Sequence, residues 1–398
     1  LVITNVPYLA RGKQEQALKD YSEVHFPNAK NDLANVFLER CLELAVDGSG
    51  VVQIVMPQNW LFLGTYKKQR ESLLKLLEWN LLARLGSGAF ETISGEVVQA
   101  VLLTQTKNQV QDLFNVQGVD ASAPKTVLEK SSLLRDGGIV EISQKGLLAN
   151  PDCRITLENF SGPLLSELAL GLQGTSPADT GRMIKKIWEF DSLPNEWRFF
   201  QTSFKNTTFF DGKSDAIWLE KLTLEKEALG AAIRGTKAWG KKGISVTKMG
   251  NLPVSIFTGE AFDANAHVVL PNNQEHLAAI WAFCCSSEFS RLVRSVDQKM
   301  DVTNSTLVKV SFNLEHWKQV AAESYPNGLP KPCSDDPTQW IFHGHPQPAT
   351  DPLQVAVARL LGYVWPAETD EKMELSDEAR DWVVRCGPLA KHADDDGI

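Results

Sequence analysis

Apolar positions along the first hundred residues switch repeatedly between two periods. Leu1-Val2-Ile3-Thr4 reads as a strand. From Asp32 to Val46, the residues Leu33, Val36, Phe37, Cys41 and Leu44 recur at helical spacing, and Gly48-Ser49-Gly50 ends the run. Val51 to Met56 is a short apolar run bounded by Gly and Pro, the mark of a buried strand. Tyr66 to Trp79 predicts a helix. Leu73, Leu74, Leu76 and Leu77 are expected on its apolar side, and Lys67, Lys68, Arg70 and Lys75 on a solvated one. Leu81 to Leu85 and Val97 to Leu103 predict two further strands, the second running out into polar Thr104 to Asn108. This order of elements predicts an α/β sheet with helices on both faces over residues 1–107.

Beyond Asn108 the pattern loosens. Residues 108–152 read as a connecting segment of short strands and loops closing at Asn150-Pro151. Residues 153–312 mix short strands, Gly turns and helices, an α+β pattern. One long helix is expected from Gln274 to Val296, with Cys284-Cys285 on its apolar side. Residues 313–398 open with a Pro-rich stretch that predicts a linker or surface wrap. Leu353, Val357 and Leu361 then mark a short amphipathic helix in an acidic, helical tail.

Composition narrows the class. The chain has 398 residues, 43% hydrophobic and 22% charged, enough for two or three domains. No apolar run approaches the roughly 20 residues of a membrane span, so no membrane partner is expected. Six cysteines without a CxxC pair argue against a disulfide framework or a structural zinc site, and a bacterial cytoplasm is the expected location. The net charge of −9 is unevenly spread. Asp335 to the end carries five Lys/Arg against thirteen Asp/Glu, whereas Arg182 to Lys309 carries seventeen against fourteen. A local basic patch can therefore meet phosphates although the whole chain is acidic. The abrupt strand at Leu1 and the Asp-rich end read as the edges of an internal piece of a longer protein.

The chemically informative segment is Asn5-Val6-Pro7-Tyr8, directly after the first strand. An enzyme that methylates an exocyclic amine of a base must flip that base out of the duplex. It must then offer acceptors to both amine hydrogens. The Asn5 amide oxygen and the Val6 carbonyl are such acceptors, Pro7 restricts the turn, and Tyr8 can stack on the base. Open α/β sheets also place ligands at the carboxyl ends of strands. The bland alternative is a β-turn with Pro in its usual place.

The segment resembles the Asn/Asp-Pro-Pro-Tyr/Phe motif of amino-methyltransferases, in the form used by adenine-specific DNA methyltransferases. Asn31 to Arg40 is similar to the helix after that motif, and Gly50 to Leu61 to the family's strand-Pro-Asn-Trp segment. Phe90 is placed like the aromatic that packs on the flipped base. The resemblance is closest to the fused methylases of type IIG restriction-modification and of BREX phage defence, and covers about residues 1–107. It implies the C-terminal half of a Rossmann-like methyltransferase sheet, followed by a target-recognition domain. It also implies S-adenosylmethionine as cofactor and double-stranded DNA as partner. Val6 departs from the family's Pro, although the carbonyl is the group required. The Gly-rich turn that binds the cofactor would precede residue 1. The only candidate, Gly86-Ser87-Gly88, comes too late and opens no helix, so most of that pocket is expected outside the chain.

A second constellation is Arg234 to Lys248, with Arg234, Lys237, Lys241, Lys242 and Lys248, no acid among them, and Trp239 between glycines. A mobile basic loop with one aromatic suits phosphate contacts and groove entry. The alternative is a solvated loop around a core Trp. Lys299, Thr303 and Asn304 lie in a stretch similar in style to type I specificity subunits, and either reach bases or shape a strand connection. His343-Gly344-His345 reads as surface, not as a metal site. No nuclease motif is convincing, so a nuclease domain or other defence-system subunits are expected only as partners outside this piece. Three functions remain: part of a DNA adenine methyltransferase, a catalytically incompetent, sequence-specific DNA-binding module, or, from the acidic tail, a protein-interaction scaffold within a phage-defence complex.

Overall fold

The structure is a computed structural model that describes residues 1–89, 99–157, 162–297 and 299–393. It is mixed α/β and divides into two compact units. The first is Leu1–Ser161 with Arg294–Lys299, and the second is Gly162–Val293 with Met300–Ile398. Among the described residues no helix is long and apolar enough to cross a membrane.

The first unit is built on six strands: β1 (Val2–Asn5), β2 (Val51–Pro57), β3 (Glu78–Gly86), β4 (Ala100–Thr106), β5 (Asn115–Asp120) and β6 (Val140–Ser143). Their order in the sheet is β1-β2-β4-β3-β5-β6. β1 runs parallel to β2, and β3 to β5, while the other pairs are antiparallel. Helices α1 (Gln16–His25), α2 (Leu33–Leu44), α3 (Lys67–Leu76), α4 (Val127–Asp136) and α5 (Gln144–Ala149) connect the strands. β2 alternates strictly, with Val52, Ile54 and Met56 buried. Those side chains share one core with Ala34, Leu38 and Cys41 of α2 and Leu73 and Leu74 of α3.

The predicted β1, α2 and β2 are present within a residue or two. The third helix stops at Leu76 and β3 starts at Glu78, so Trp79 belongs to a strand and not to the helix. Gln144 explains the early switch. Its amide nitrogen donates to the carbonyls of Leu74 and Leu77, and its carbonyl accepts from Trp79 N–H at 2.9 Å. The end of α3 is thereby closed and the start of β3 fixed. β4 extends through polar Thr104 to Thr106 because Gln105 is fully buried, in register with both Val52 and Trp79. Val97 and Val98 lie outside the described residues. Residues 108–152, expected to connect, add β5 and β6 to the same sheet and include α4, whose Thr126 and Glu129 form a capping box.

Arg70 corrects the expected solvated face of α3. It is fully buried, and its guanidinium donates to the carbonyls of Trp60, Leu63, Asp152 and Cys153. Burial pushes its pKa down to about 10. Leu76, expected inside, is exposed instead.

The second unit holds strands β7 (Ala169–Leu172), β8 (Ile184–Lys186), β9 (Trp197–Gln201), β10 (Asp215–Trp218), β11 (Gly243–Thr247), β12 (Val254–Phe257), β13 (Ala261–Phe262) and β14 (Ala266–Pro271). They form two four-stranded sheets, β13-β9-β10-β8 and β12-β11-β14-β7. Every residue of β11, β12 and β14 is buried. Helices α6 (Thr180–Met183), α7 (Leu219–Leu229), α8 (Leu277–Cys285), α9 (Ser287–Val296) and α10 (Asn304–Val308) come next in chain order. Helix 274–296 is not continuous. Ser286 breaks it, and its hydroxyl accepts from Phe289 N–H at 3.2 Å, starting α9 as a new helix. Cys284 is buried as expected, but Cys285 is exposed.

The Pro-rich stretch is packed, not a linker. Trp340, Ile341 and Phe342 are buried, and Trp340 N–H donates to the Lys213 carbonyl at 2.8 Å. His343, expected at the surface, is 4% exposed, against the Phe342 and Trp382 rings. Helices α11 (Leu314–Ser324), α12 (Pro352–Leu360), α13 (Pro366–Thr369) and α14 (Asp377–Cys386) complete the chain. In α12 the inward residue is Val355, packed with Phe342 and Trp365, whereas the expected apolar face of Leu353, Val357 and Leu361 is exposed.

Removing the Arg70 guanidinium leaves four buried or half-buried carbonyls short of a donor. Arg70→Ala should lower stability by on the order of 3 kcal/mol in urea unfolding. Lys75→Ala, on the exposed side of the same helix, should change it by less than about 0.5 kcal/mol.

Candidate catalytic turn and nucleic-acid interface

The in-out alternation of β1 runs on through the turn. Val2 and Thr4 are half-buried and Ile3 and Asn5 exposed; then Val6 is buried, Pro7 exposed and Tyr8 half-buried. Asn5 sits opposite Val55 at the carboxyl end of the parallel pair. The Val6 side chain is 5% exposed and belongs to the first core, with Tyr8 packed against that core. The core thus anchors every second residue and leaves the Asn5 amide outward. The Tyr8 hydroxyl is buried, and burial, with Asp32 nearby, pushes its pKa up to about 12. Tyr8 is a neutral ring at any working pH.

Asp32 holds the exit of the turn. One of its carboxylate oxygens accepts from Leu9 N–H at 3.3 Å and from Ala34 N–H at 3.0 Å, so it caps α2 and fixes the chain after Tyr8 together. Leu33 N–H donates to the Leu9 carbonyl, and the buried Gln14 amide donates to the same carbonyl. Because β1 and β2 are parallel, Pro57 and the 3-10 turn Gln58–Leu61 leave the sheet at the same end as Asn5. Arg70 clamps that turn through Trp60 and Leu63. Phe90 lies outside the described residues.

The Gly86-Ser87-Gly88 segment does not form a ligand cradle. Gly86 and Gly88 have positive φ, and a Cβ on either would strike Ser122 or the Lys125 carbonyl. These glycines serve a close chain approach within the first unit. Among the described residues no group of three or more His, Cys, Asp or Glu could hold a metal ion.

In the second unit the segment 234–248 is pinned, a correction to the expected mobile loop. Gly235, at φ 75°, lies against the Phe262 ring, Ala238 is fully buried, and Trp239 packs on the cluster of Phe257 and Phe262. Gly240 N–H donates to the Gly259 carbonyl at 2.8 Å. Residues 243–247 are β11. The glycines allow close packing, and Trp239 stabilises the fold beside whatever else it does.

The fold also brings acids to cations that had none nearby in sequence. Lys242 pairs with Glu374 at 2.6 Å and Lys248 with Asp301 at 3.0 Å. Arg234, Lys237 and Lys241 are exposed and have no ion-pair partner among the described residues. The Asn304 amide donates to the Gly171 carbonyl, tying α10 to β7, and Thr303 bonds the Thr306 hydroxyl at 2.8 Å. Lys299 falls in the first unit and donates its backbone N–H to Asp297. Hydrogen bonds thus tie both Thr303 and Asn304 into the chain connection.

Sequence reasoning missed Asp32 as a tether, Arg70, Gln144 and the buried Lys213–Glu260 pair. Asp32 carried a signal, an acid directly before a helical apolar run. The others carried none, because their partners are far along the chain.

Residues 1–86 match the Eco57I restriction-modification methylase family. Over 111 residues the chain is 34% identical to the adenine-specific methyltransferase PglX of Lacticaseibacillus casei (strain Zhang), which covers 27% of this chain and 9% of that protein. Over 98 residues it is 36% identical to the adenine-specific methyltransferase BrxX of Escherichia coli O9:H4 (strain HS), covering 25% of this chain and 8% of that protein. The solved type IIL restriction-modification enzyme MmeI, in complex with DNA, is similar in fold over 98% of this chain and 53% of its own, with a TM-score of 0.52 at 13% identity.

Two buried histidines make the second unit acid-sensitive. His267, 3% exposed, donates through Nε2 to the Val302 carbonyl at 3.1 Å, and burial pushes its pKa down to about 4. Burial brings His343 to about 4 as well. Both pKa values are lowered from 6.5, so the unfolded chain takes up protons first as pH falls. Their contribution is whole above about pH 6.5 and is lost towards pH 4. Urea midpoints should fall over that window, and a His267→Gln/His343→Gln variant, though less stable at pH 7, should show a shallower fall.

The N-terminal segment of the chain is thus similar to the Eco57I restriction-modification methylase family and to the adenine-specific methyltransferases PglX and BrxX, of whose length the chain spans less than a tenth.

Proposed function

We propose that this chain is the base-holding part of a DNA adenine methyltransferase of a restriction-modification or phage-defence system, joined to a DNA-recognition unit. The observation that carries it is the turn Asn5-Val6-Pro7-Tyr8 at the carboxyl end of a parallel strand pair, with Asn5 outward and its neighbours anchored. In this reading the Asn5 side-chain oxygen and the Val6 carbonyl accept the two hydrogens of the adenine N6 amine. Pro7 keeps the two acceptors in place, and the neutral Tyr8 ring stacks on the flipped base, with Phe90 as its opposite face. Acceptors on both hydrogens leave the nitrogen lone pair directed at the methyl donor.

S-adenosylmethionine, the usual methyl donor of methyltransferases, would supply the methyl group. The described residues do not fit it, because the candidate glycines at 86 and 88 are filled by their own chain. β1 is the outer strand of its sheet, and Ile3 is 66% exposed on it.

Double-stranded DNA is the proposed partner of the second unit, through Arg234, Lys237 and Lys241. Lys242 and Lys248 contribute less, as does Lys299 of the first unit, and Trp239, Thr303 and Asn304 shape the surface. The support is the exposure of the three leading cations beside a rigidly packed strand. A nuclease domain or further defence-system subunits belong to the same reading of the parent protein, with the bacterial cytoplasm as its location.

In the parent methylase, Asn5→Ala should cut methylation by about 100-fold or more, on the order of 3 kcal/mol, while DNA affinity stays unchanged. Full turnover in that variant would remove Asn5 from the site. Changing Arg234, Lys237 and Lys241 to Ala should flatten the slope of log affinity against log salt by about 2 to 3 units, at roughly 0.9 per phosphate contact. The same change at Lys67, Lys68 and Lys75 should leave the slope alone. Equal slopes for both triple variants would place the DNA elsewhere.

A further inference from the structure

The second unit contains a cavity of about 390 Å³ that neither the Asn5 turn nor the exposed cations account for. That size falls within the roughly 300–1,000 Å³ of small-ligand sites. Two half-buried aromatic rings, Phe199 and Trp239, are in its lining, and Trp340, 3% exposed, backs Phe199. Phe199 stacks on Trp340 at 4.8 Å, with 17° between their planes, and Trp239 and Gly240 of the basic segment also line the space.

Its polar lining is built in advance. Thr258 and Glu260 both face the cavity and both belong to a buried network. Fully buried Lys213 pairs with Glu260 and donates to Thr258 Oγ1 at 2.9 Å, and the Thr258 hydroxyl donates to Glu260 Oε2 at 2.7 Å. The Lys213 ammonium lies 5.1 Å from the centre of the Trp340 ring. One buried cation thus fixes both a carboxylate and an aromatic wall. Arg198, Asp370, Met373 and Glu374 also line it, and Glu374 is the partner of Lys242.

We propose that this cavity receives one unstacked nucleobase that carries an exocyclic amine. The proposal rests on the reading of the second unit as a DNA interface. Aromatic faces stack on any base. Carboxylates accept from amine hydrogens, the pairing by which Glu or Asp reads cytosine N4. Lys213 and Lys242 offset two of its three carboxylates and Arg198 lines it too, so the space carries no net positive charge to draw a phosphate in. The sugar-phosphate chain therefore stays outside, where exposed Lys241 follows Gly240 in the chain. Thymine, with no exocyclic amine, lacks the donor this lining asks for.

The test separates the cavity from the interface. Equilibrium dialysis of the full chain against adenosine, cytidine and thymidine reads the cavity directly. Adenosine and cytidine should bind saturably, one per chain, and thymidine at least about tenfold more weakly, a difference of 1.4 kcal/mol or more. Met373→Trp, which fills the lip, and Phe199→Leu, which removes one stacking face, should each weaken adenosine by about tenfold or more. Their urea midpoints establish that they are folded. The proposal is overturned by absence of saturable adenosine binding up to about 10 mM, by equal binding of thymidine, or by folded variants that bind as the parent does. An abasic phosphodiester chain of about twelve units, titrated against salt, reads the interface alone. If it binds and adenosine does not, the interface stands and the cavity proposal fails. If adenosine binds and the abasic chain does not, the interface reading fails and the cavity is a nucleoside site.

Discussion

The parallel pairing of β1 with β2 is the constraint on which the candidate catalytic turn depends. Asn5 is outward because Val6 is inward, and Val6 is inward because the core under β2 is already set by Val52, Ile54 and Met56. A slip of one residue in this pairing would send the Asn5 amide into the core and the Val6 side chain into water. The register is therefore held by apolar burial on one face, not by the turn itself. The chain beyond the turn is held by a different force. Asp32 binds two backbone N–H groups that no regular element satisfies, and Arg70 does the reciprocal work for the carbonyls of Trp60 and Leu63 after β2 and of Asp152 and Cys153 after α5. A carboxylate with donors and a guanidinium with acceptors thus frame the two chain segments that leave the sheet together.

In the second unit electrostatics is reorganised by folding. Counted along the chain, residues 234–248 are a run of cations without an acid. In space, Glu374 and Asp301 neutralise two of them, leaving Arg234, Lys237 and Lys241. Exposed pairs of this kind contribute little to stability. Their consequence is for binding, since a phosphate must displace Glu374 before it meets Lys242. The acidic C-terminal segment, which along the sequence only lowers the net charge, in space sets Glu374 against Lys242.

The features legible in the sequence are those that depend on near neighbours. The alternation of β2, the helical spacing from Leu33 to Leu44 and the turn after β1 are local patterns, and each appears within a residue or two of its expected place. The illegible features depend on partners distant in sequence. Arg70 looks like one more surface cation in a helix, because its acceptors at 152 and 153 lie far along the chain. Gln144 ends a helix 70 residues earlier. Trp340 and Phe342 are masked by their prolines, since a Pro-rich stretch excludes regular structure but not burial. The glycines around Trp239 look like freedom along the sequence, and the fold uses them for close approach to Phe262 and Gly259.

The two polar sites of this chain obey one physical logic. At the turn, the groups proposed to meet a ligand are a side-chain amide and a backbone carbonyl, with positions fixed by a buried neighbour. In the cavity of the second unit they are a hydroxyl and a carboxylate held by a buried ammonium. Acceptors that are immobilised before the ligand arrives cost little further ordering on binding, and they discriminate donors from non-donors most sharply where water is excluded. Lys213 shows the expense of that arrangement. Full burial pulls its pKa down, and only the opposing pull of Glu260 keeps the ammonium worth holding. A core built for stability alone would replace the pair with apolar side chains of equal volume. That Glu260 lines a cavity instead is the physical reason to read the pair as part of a proposed site and not as packing.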